Sequence, residues 1–216
     1  MSSRQPSVDV EFFLDPVCPW CWLTSRWVTH VQAEKSYAVG WRFISLYVLN
    51  EDKEPSEQMR QVHLGGLRCL RVLDHVRNEH GNDAVAKLYT ELGSRIHVDR
   101  RRDELVGDAE SFIAEALTAA GLDPGHAKHV HDESHDAVLR DEVEVALSRT
   151  GPNVGTPILT FAPGQGEREG SFFGPVISKV LRGEQAVRLW DAVELIATTP
   201  GMSELKRSAR AKLDFT

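Results

Sequence analysis

The apolar positions along this chain change their period several times. Val8 to Leu14 mixes β-branched and aromatic residues and stops at Asp15-Pro16, which predicts a strand followed by a turn. From Pro19 to about Glu34, Trp22, Leu23, Trp27, Val28 and Val31 recur at the spacing of one helix face. Tyr37 to Leu49 carries Val39, Trp41, Phe43 and Ile44 and predicts a second, largely buried strand. A strand–helix–strand unit of this kind is parallel and right-handed. From Pro55 to Arg149 the pattern is helical, rich in Ala, Leu, Glu and Arg. Its expected breaks are Gly65-Gly66, His80-Gly81-Asn82, Ile96 to Asp103 and Gly121 to Gly125, giving roughly four or more helices. Strand character returns at Pro157 to Phe161 and at Gly170 to Phe173, on either side of the turn Gly164-Gln165-Gly166-Glu167. That is an antiparallel hairpin, and the glycines open no helix of the kind a phosphate loop needs. Helices over about Pro175 to Leu181 and Glu184 to Ala197 are expected to close the chain.

Composition narrows the class without naming a chemistry. The chain has 216 residues, enough for one large domain or a domain with an insertion, and a core that needs no disulfide staples. Hydrophobic residues make up 41% and charged residues 26%, as in soluble globular proteins. Net charge is −7, so no nucleic-acid or anionic-membrane footprint is present. Arg100-Arg101-Arg102 runs at once into Asp103-Glu104 and reads as a solvated turn. Met1 to Ser7 has no apolar stretch of a secretory signal, and no window approaches the ~20 apolar residues of a membrane span. A cytoplasmic location is expected.

Chemistry enters at Cys18-Pro19-Trp20-Cys21, directly after the first strand. Two thiols two residues apart at a strand-to-helix turn can close and reopen a small disulfide ring. The first sulfur meets the unpaired amides and positive dipole end of the helix, which stabilise an anion. Pro19 suits that first turn, where an amide would have no intrahelical partner. CxxC also spaces two zinc ligands, but a structural zinc takes four, and the remaining cysteine, Cys69, has no CxxC partner. In a reducing compartment this pair reads as redox-active, and Cys69 among Leu67, Leu70 and Val72 as a buried small hydrophobe. His131 and His135 stand four apart, near the HExxH spacing, with His126 and His129 close by. Asp132 is too short for that motif's general base and no third ligand follows, so no metal is assigned.

The order β–CxxC–α–β, helical block, β–β–α resembles the DsbA family: an α/β thioredoxin-like fold with a large all-α insertion. Asp15-Pro16-Val17-Cys18-Pro19-Trp20-Cys21-Trp22 and the later Val154-Gly155-Thr156-Pro157 carry the likeness. It implies a discontinuous thioredoxin-like domain over 1–54 and 150–216 and an inserted helical domain over 55–149. Within the family, Cys18 through Trp27, Leu49-Asn50-Glu51, Asn153 to Pro157, Phe172 to Val176 and Glu204 to Arg207 look like the actinobacterial mycothiol-dependent reductases, some acting on nitro-aromatics.

The resemblance implies Cys18 as the exposed attacking thiolate, Cys21 as the resolving thiol, and a cis-Pro157 behind Thr156 facing them. Pro19 and Trp20 would help bind the thiol substrate, Trp20 by stacking. Asn50 would hydrogen-bond the thiol cofactor or cap the first helix of the insertion. Mycothiol is the implied co-substrate, with a small electrophile or disulfide as second substrate, no tightly bound cofactor, and a homodimer as the assembly. One position departs: Met59 follows Glu57-Gln58 where the pattern carries a tyrosine. The rival readings are a kappa-type glutathione transferase or hydroxychromene carboxylate isomerase, which carry serine at the attacking position, and a redox-switched binding or chaperone-like protein.

Overall fold

The computed structural model describes residues 8–215; the N-terminal stretch Met1 to Ser7 lies outside the described residues. In chain order come β1 (Val10–Leu14), α1 (Pro19–Lys35), β2 (Val39–Phe43), α2 (Leu46–Leu49), α3 (Glu57–His80) and α4 (Asn82–Gly93). A π-turn (Ser94–Val98) leads to α5 (Arg102–Gly107) and α6 (Ala109–Ala119). Two 3-10 segments, Pro124–His131 and Glu133–His135, precede α7 (Asp136–Thr150), and β3 (Ile158–Phe161), β4 (Gly170–Phe173) and α8 (Gly183–Thr198) complete the order.

The four strands form one sheet in the order β2-β1-β3-β4, with β1 and β2 parallel and β3 antiparallel to both its neighbours. Central β1 is buried on both faces except at Glu11, which Arg42 and Arg149 neutralise. On one face lie α1 and α8. Trp27 and Trp190 bring their rings to 5.4 Å, Phe161 meets Trp190 edge-on at 5.3 Å, and Trp27 Nε1 donates to Ala186 O at 3.0 Å. On the other face Phe13, Ile44 and Ile158 pack on Val143 and Ala146 of α7. A parallel β-α-β unit, an antiparallel hairpin and helices on both faces make the thioredoxin fold, with the helical insertion entering after β2 and returning before β3. The main core runs through both parts without a break, from Trp27 and Trp41 to Tyr89, Phe112 and Leu117.

Three expectations are corrected. The second strand ends at Phe43, not Leu49, because Ser45 caps a new helical turn and the Asp15 carboxylate takes the Leu46 amide at 2.7 Å. Gly65-Gly66 does not break α3. Both glycines serve close approach, since a Cβ on Gly66 would lie 2.8 Å from Asp15 Oδ1 and one on Gly65 3.2 Å from Leu105. Residues 175–181 form no helix, because their backbone finds tertiary partners instead. Thr24 Oγ1 donates to Pro175 O at 2.8 Å and the Asp214 amide to Ser178 O at 2.8 Å, while Ile177, Val180 and Leu181 pack on the core.

Candidate active site

β1 hands the chain to α1 through Asp15-Pro16-Val17-Cys18. Cys18 is the N-cap of α1, extended at φ −81° and ψ 112°, and its Sγ accepts the Cys21 amide at 3.4 Å. Pro19 takes the first helical position, and the Trp22 amide closes the turn on Cys18 O at 3.1 Å. Cys21 faces inward one turn later, fully buried, with Sγ 3.9 Å from Phe13 O. Both are free thiols. The segment before β3 lies over the pair. Thr156 presents its carbonyl 3.9 Å from Cys18 Sγ and its hydroxyl 2.6 Å from Cys21 Sγ, and the Thr156–Pro157 peptide is cis. One residue therefore touches both sulfurs.

Burial pushes the Cys21 thiol well above its usual range, and neighbouring Cys18 adds to this, against smaller help from the Thr156 hydroxyl and the Asp15 backbone. Cys21 is thereby held as a protonated thiol. The expectation of an exposed Cys18 is corrected: only 4% of it meets solvent, with Thr156 O 3.9 Å from its sulfur. Trp20 is half-buried beside it, with the Arg210 guanidinium 5.2 Å above its ring. Trp22 and Trp27 are core residues, and Cys69 is fully buried.

Asn50 does not cap the long helix of the insertion. Its amide donates to Leu46 O at 2.7 Å and its carbonyl accepts Lys53 at 3.0 Å, so it closes the C-terminal end of α2, while Ser56 caps α3. It borders a small cleft with Tyr47, Arg60 and His63. A larger cavity of about 310 Å3 lies between Trp22, Arg26, His30, Val180 and Phe215, with no cysteine in its lining.

Two residues outside the expected site support the motif. Asp15 is fully buried three residues before Cys18, and its carboxylate accepts the amides of Val17 at 2.9 Å and Leu46 at 2.7 Å. Burial raises it to about 6 despite those two bonds. His97, from the π-turn, donates through Nε2 to Pro16 O at 2.8 Å and stacks between Trp22 and Phe215. Burial lowers it to about 4. The advance signals for Asp15 are its place at the end of a buried strand and in the string that carries the family likeness. For His97 there was none, because its contact spans 81 residues.

A dithiol at the N-terminus of the first helix, under a cis-proline loop on this sheet, defines a thioredoxin-fold dithiol protein. Residues 17–207 match the family described as mycothiol-dependent nitroreductase Rv2466c, and the chain belongs to this Rv2466c-like family. It is also similar to the uncharacterized protein Rv2286c of Mycobacterium tuberculosis (strain ATCC 25618 / H37Rv). The two are 27% identical over 199 residues, covering 92% of this chain and 81% of that one. Among the described residues no helix is long and apolar enough to cross a membrane.

Proposed function

We propose that this protein is a mycothiol-dependent oxidoreductase that cycles Cys18 and Cys21 between dithiol and disulfide. Membership of the Rv2466c-like family supports the reductase class. The observation that carries the thiol chemistry is Cys18 at the helix cap, taking the Cys21 amide on its sulfur while Cys21 waits buried behind it. In the reducing direction, Cys18 thiolate attacks one sulfur of a disulfide and expels the other half as a thiolate. Cys21 then loses its proton and attacks Cys18 Sγ. The second thiolate leaves, and two electrons have passed to the substrate. With a nitro-aromatic acceptor, the same two electrons and two protons yield a nitroso compound and water. Two mycothiols restore the dithiol, the first by a mixed disulfide on Cys18 and the second by releasing mycothiol disulfide.

Thr156 is the residue that guides this exchange, because its carbonyl and hydroxyl contact the two sulfurs separately. The extended backbone before Pro157 offers an edge along which a thiol substrate can lie. Pro19 and Trp20 frame the entrance, and Arg210 holds the Trp20 face. Asn50, on the rim of the cleft with Tyr47, Arg60 and His63, can offer its side-chain amide to a polar thiol by exchanging its bonds to Leu46 O and Lys53. A cytoplasmic site and a homodimer belong to the same proposal, the latter checked by light scattering. Steady-state turnover with mycothiol tests the chemistry: Cys18→Ser abolishes it, and full activity in that variant would overturn the mechanism.

A further inference from the structure

We propose that the helical insertion carries a site for one divalent transition-metal ion, built from His75, His129 and His135. The expectation that His131 and His135 share one helix face is itself corrected by the fold. Asp132 caps a break between the two 3-10 segments, so His131 points to solvent beside Glu110 while His135 turns inward. What the break creates is a different grouping. His75 comes from α3 and His129 and His135 from the two segments, and one ligating nitrogen of each lies within 4.8 Å of the others. His75 and His129 stack at 3.6 Å, and the His135 ring stands edge-on to both, at 6.2 and 5.7 Å. All three are half-buried.

The surroundings are those of a held ligand set. His135 donates through Nδ1 to the Asp74 carboxylate at 2.7 Å, which leaves Nε2 as its free nitrogen. Asp74 has a 2% exposed side chain and is fixed by Arg77, which Glu142 holds from α7. A carboxylate on the far nitrogen is how metal-binding imidazoles are oriented and made more basic. Asp132 Oδ2 lies 3.2 Å from His129 Nδ1 and 3.7 Å from His135 Nε2, so it is the carboxylate placed to take a fourth position. A tetrahedral ion with bonds of about 2.0–2.1 Å sets its ligands roughly 3.3 Å apart, so binding requires the His75 and His129 rings, now stacked at an interplanar angle of 14°, to turn until their in-plane lone pairs converge. Imidazole and carboxylate donors suit zinc, nickel or copper(II) over calcium or magnesium.

A second grouping, His75 with Glu79 and His126, shares His75 and competes for it. Glu79 is exposed, and both ring nitrogens of His126 are engaged, by His75 Nε2 at 3.0 Å and by His80 at 3.3 Å, whereas in His75 that bond takes Nε2 alone and Nδ1 lies outside it. The first set is therefore the one assigned. An ion there clamps the irregular 124–135 stretch onto α3, a role independent of the thiol chemistry.

The test uses the full chain without an affinity tag, oxidised to the Cys18–Cys21 disulfide so that the dithiol cannot bind metal. Equilibrium dialysis against zinc should give one ion per chain. His129→Gln and His135→Gln should each weaken binding about tenfold or more. His131→Gln should bind as the parent does, and His126→Gln, which removes only a partner of His75, should weaken binding less than either of those two. Cobalt(II) bound to the parent protein should show ligand-field bands with no thiolate charge-transfer band, a readout that needs no variant to fold. Loss in His126→Gln with binding retained in His129→Gln, a thiolate band, or no stoichiometric zinc would each overturn the assignment.

Discussion

Replacing Asp15 with asparagine isolates the cost of keeping a carboxyl beneath the CxxC turn. In the folded protein Asp15 rises from 3.8 to about 6 because burial outweighs the Leu46 and Val17 amides. A group raised in this way holds its full contribution to stability below its unfolded value, near pH 3.8, and loses it as pH climbs through about 6. At about 1.4 kcal/mol per tenfold change, the loss between roughly pH 4 and pH 7 is about 2–3 kcal/mol. Asparagine cannot ionise, so Asp15→Asn escapes that loss. It also turns one of the two acceptors into an amide facing an amide, a cost of about 1–3 kcal/mol that does not change with pH. Urea unfolding of both proteins, under the same reductant at several values from about pH 4 to pH 7, separates the two effects. The difference in unfolding free energy should move by about 2–3 kcal/mol in favour of the variant as pH rises, whatever its starting value. A pH-independent difference would refute the reading that Asp15 is buried as described.

His97 moves the other way. It falls from 6.5 to about 4, so its contribution is complete above pH 6.5 and is lost as pH drops towards about 4. The parent relative to His97→Gln should therefore gain about 3 kcal/mol between roughly pH 4 and pH 7, and a flat difference by the same denaturation series would contradict this. In the parent protein the two groups act in opposite directions, so each is read from its own variant pair. Gly93→Ala puts a Cβ 2.1 Å from Cε3 of the buried Trp22, which is hemmed in by Tyr89 and His97. It should cost about 3 kcal/mol, at the upper end of overpacking, and slow thiol exchange because Trp22 follows Cys21 directly. An unchanged midpoint and rate would count against that packing. Arg71→Ala removes a two-pronged contact to Asp136, both bonds 2.7 Å, and a bond to Val130 O at 3.0 Å. A loss of about 2–3 kcal/mol is expected, with hydrogen exchange rising over residues 124–135, and normal protection there would contradict it.

Local signals told most about the parts whose partners are close in sequence. The period-2 run into Leu14, the helical spacing from Trp22 to Val31 and the hairpin around Gly164 each made one element legible, and the CxxC placed the chemistry at their junction. The failures share a cause. Gly65-Gly66 looks like a break from composition alone, yet those glycines are small so that Asp15, Val17 and Leu105 can approach. Residues 175–181 have helical composition, but Thr24 and Asp214 take their backbone bonds from outside. Local sequence makes Cys18 read as exposed, since its neighbour Thr156 stands 138 residues away and only the family likeness places it opposite the thiols. The histidines were legible as a cluster along the chain, but His75, which completes the set, joins only through the packing of α3.

The central claim is that Cys18 is the nucleophile and mycothiol its partner. Intact mass spectrometry of Cys21→Ser, incubated separately with mycothiol disulfide and glutathione disulfide, tests both halves at once. The account predicts one mycothiol adduct per chain, mapped to Cys18, and little from glutathione. No adduct with either, or an adduct on Cys69, would contradict it and favour a redox-switched binder or a protein-thiol partner.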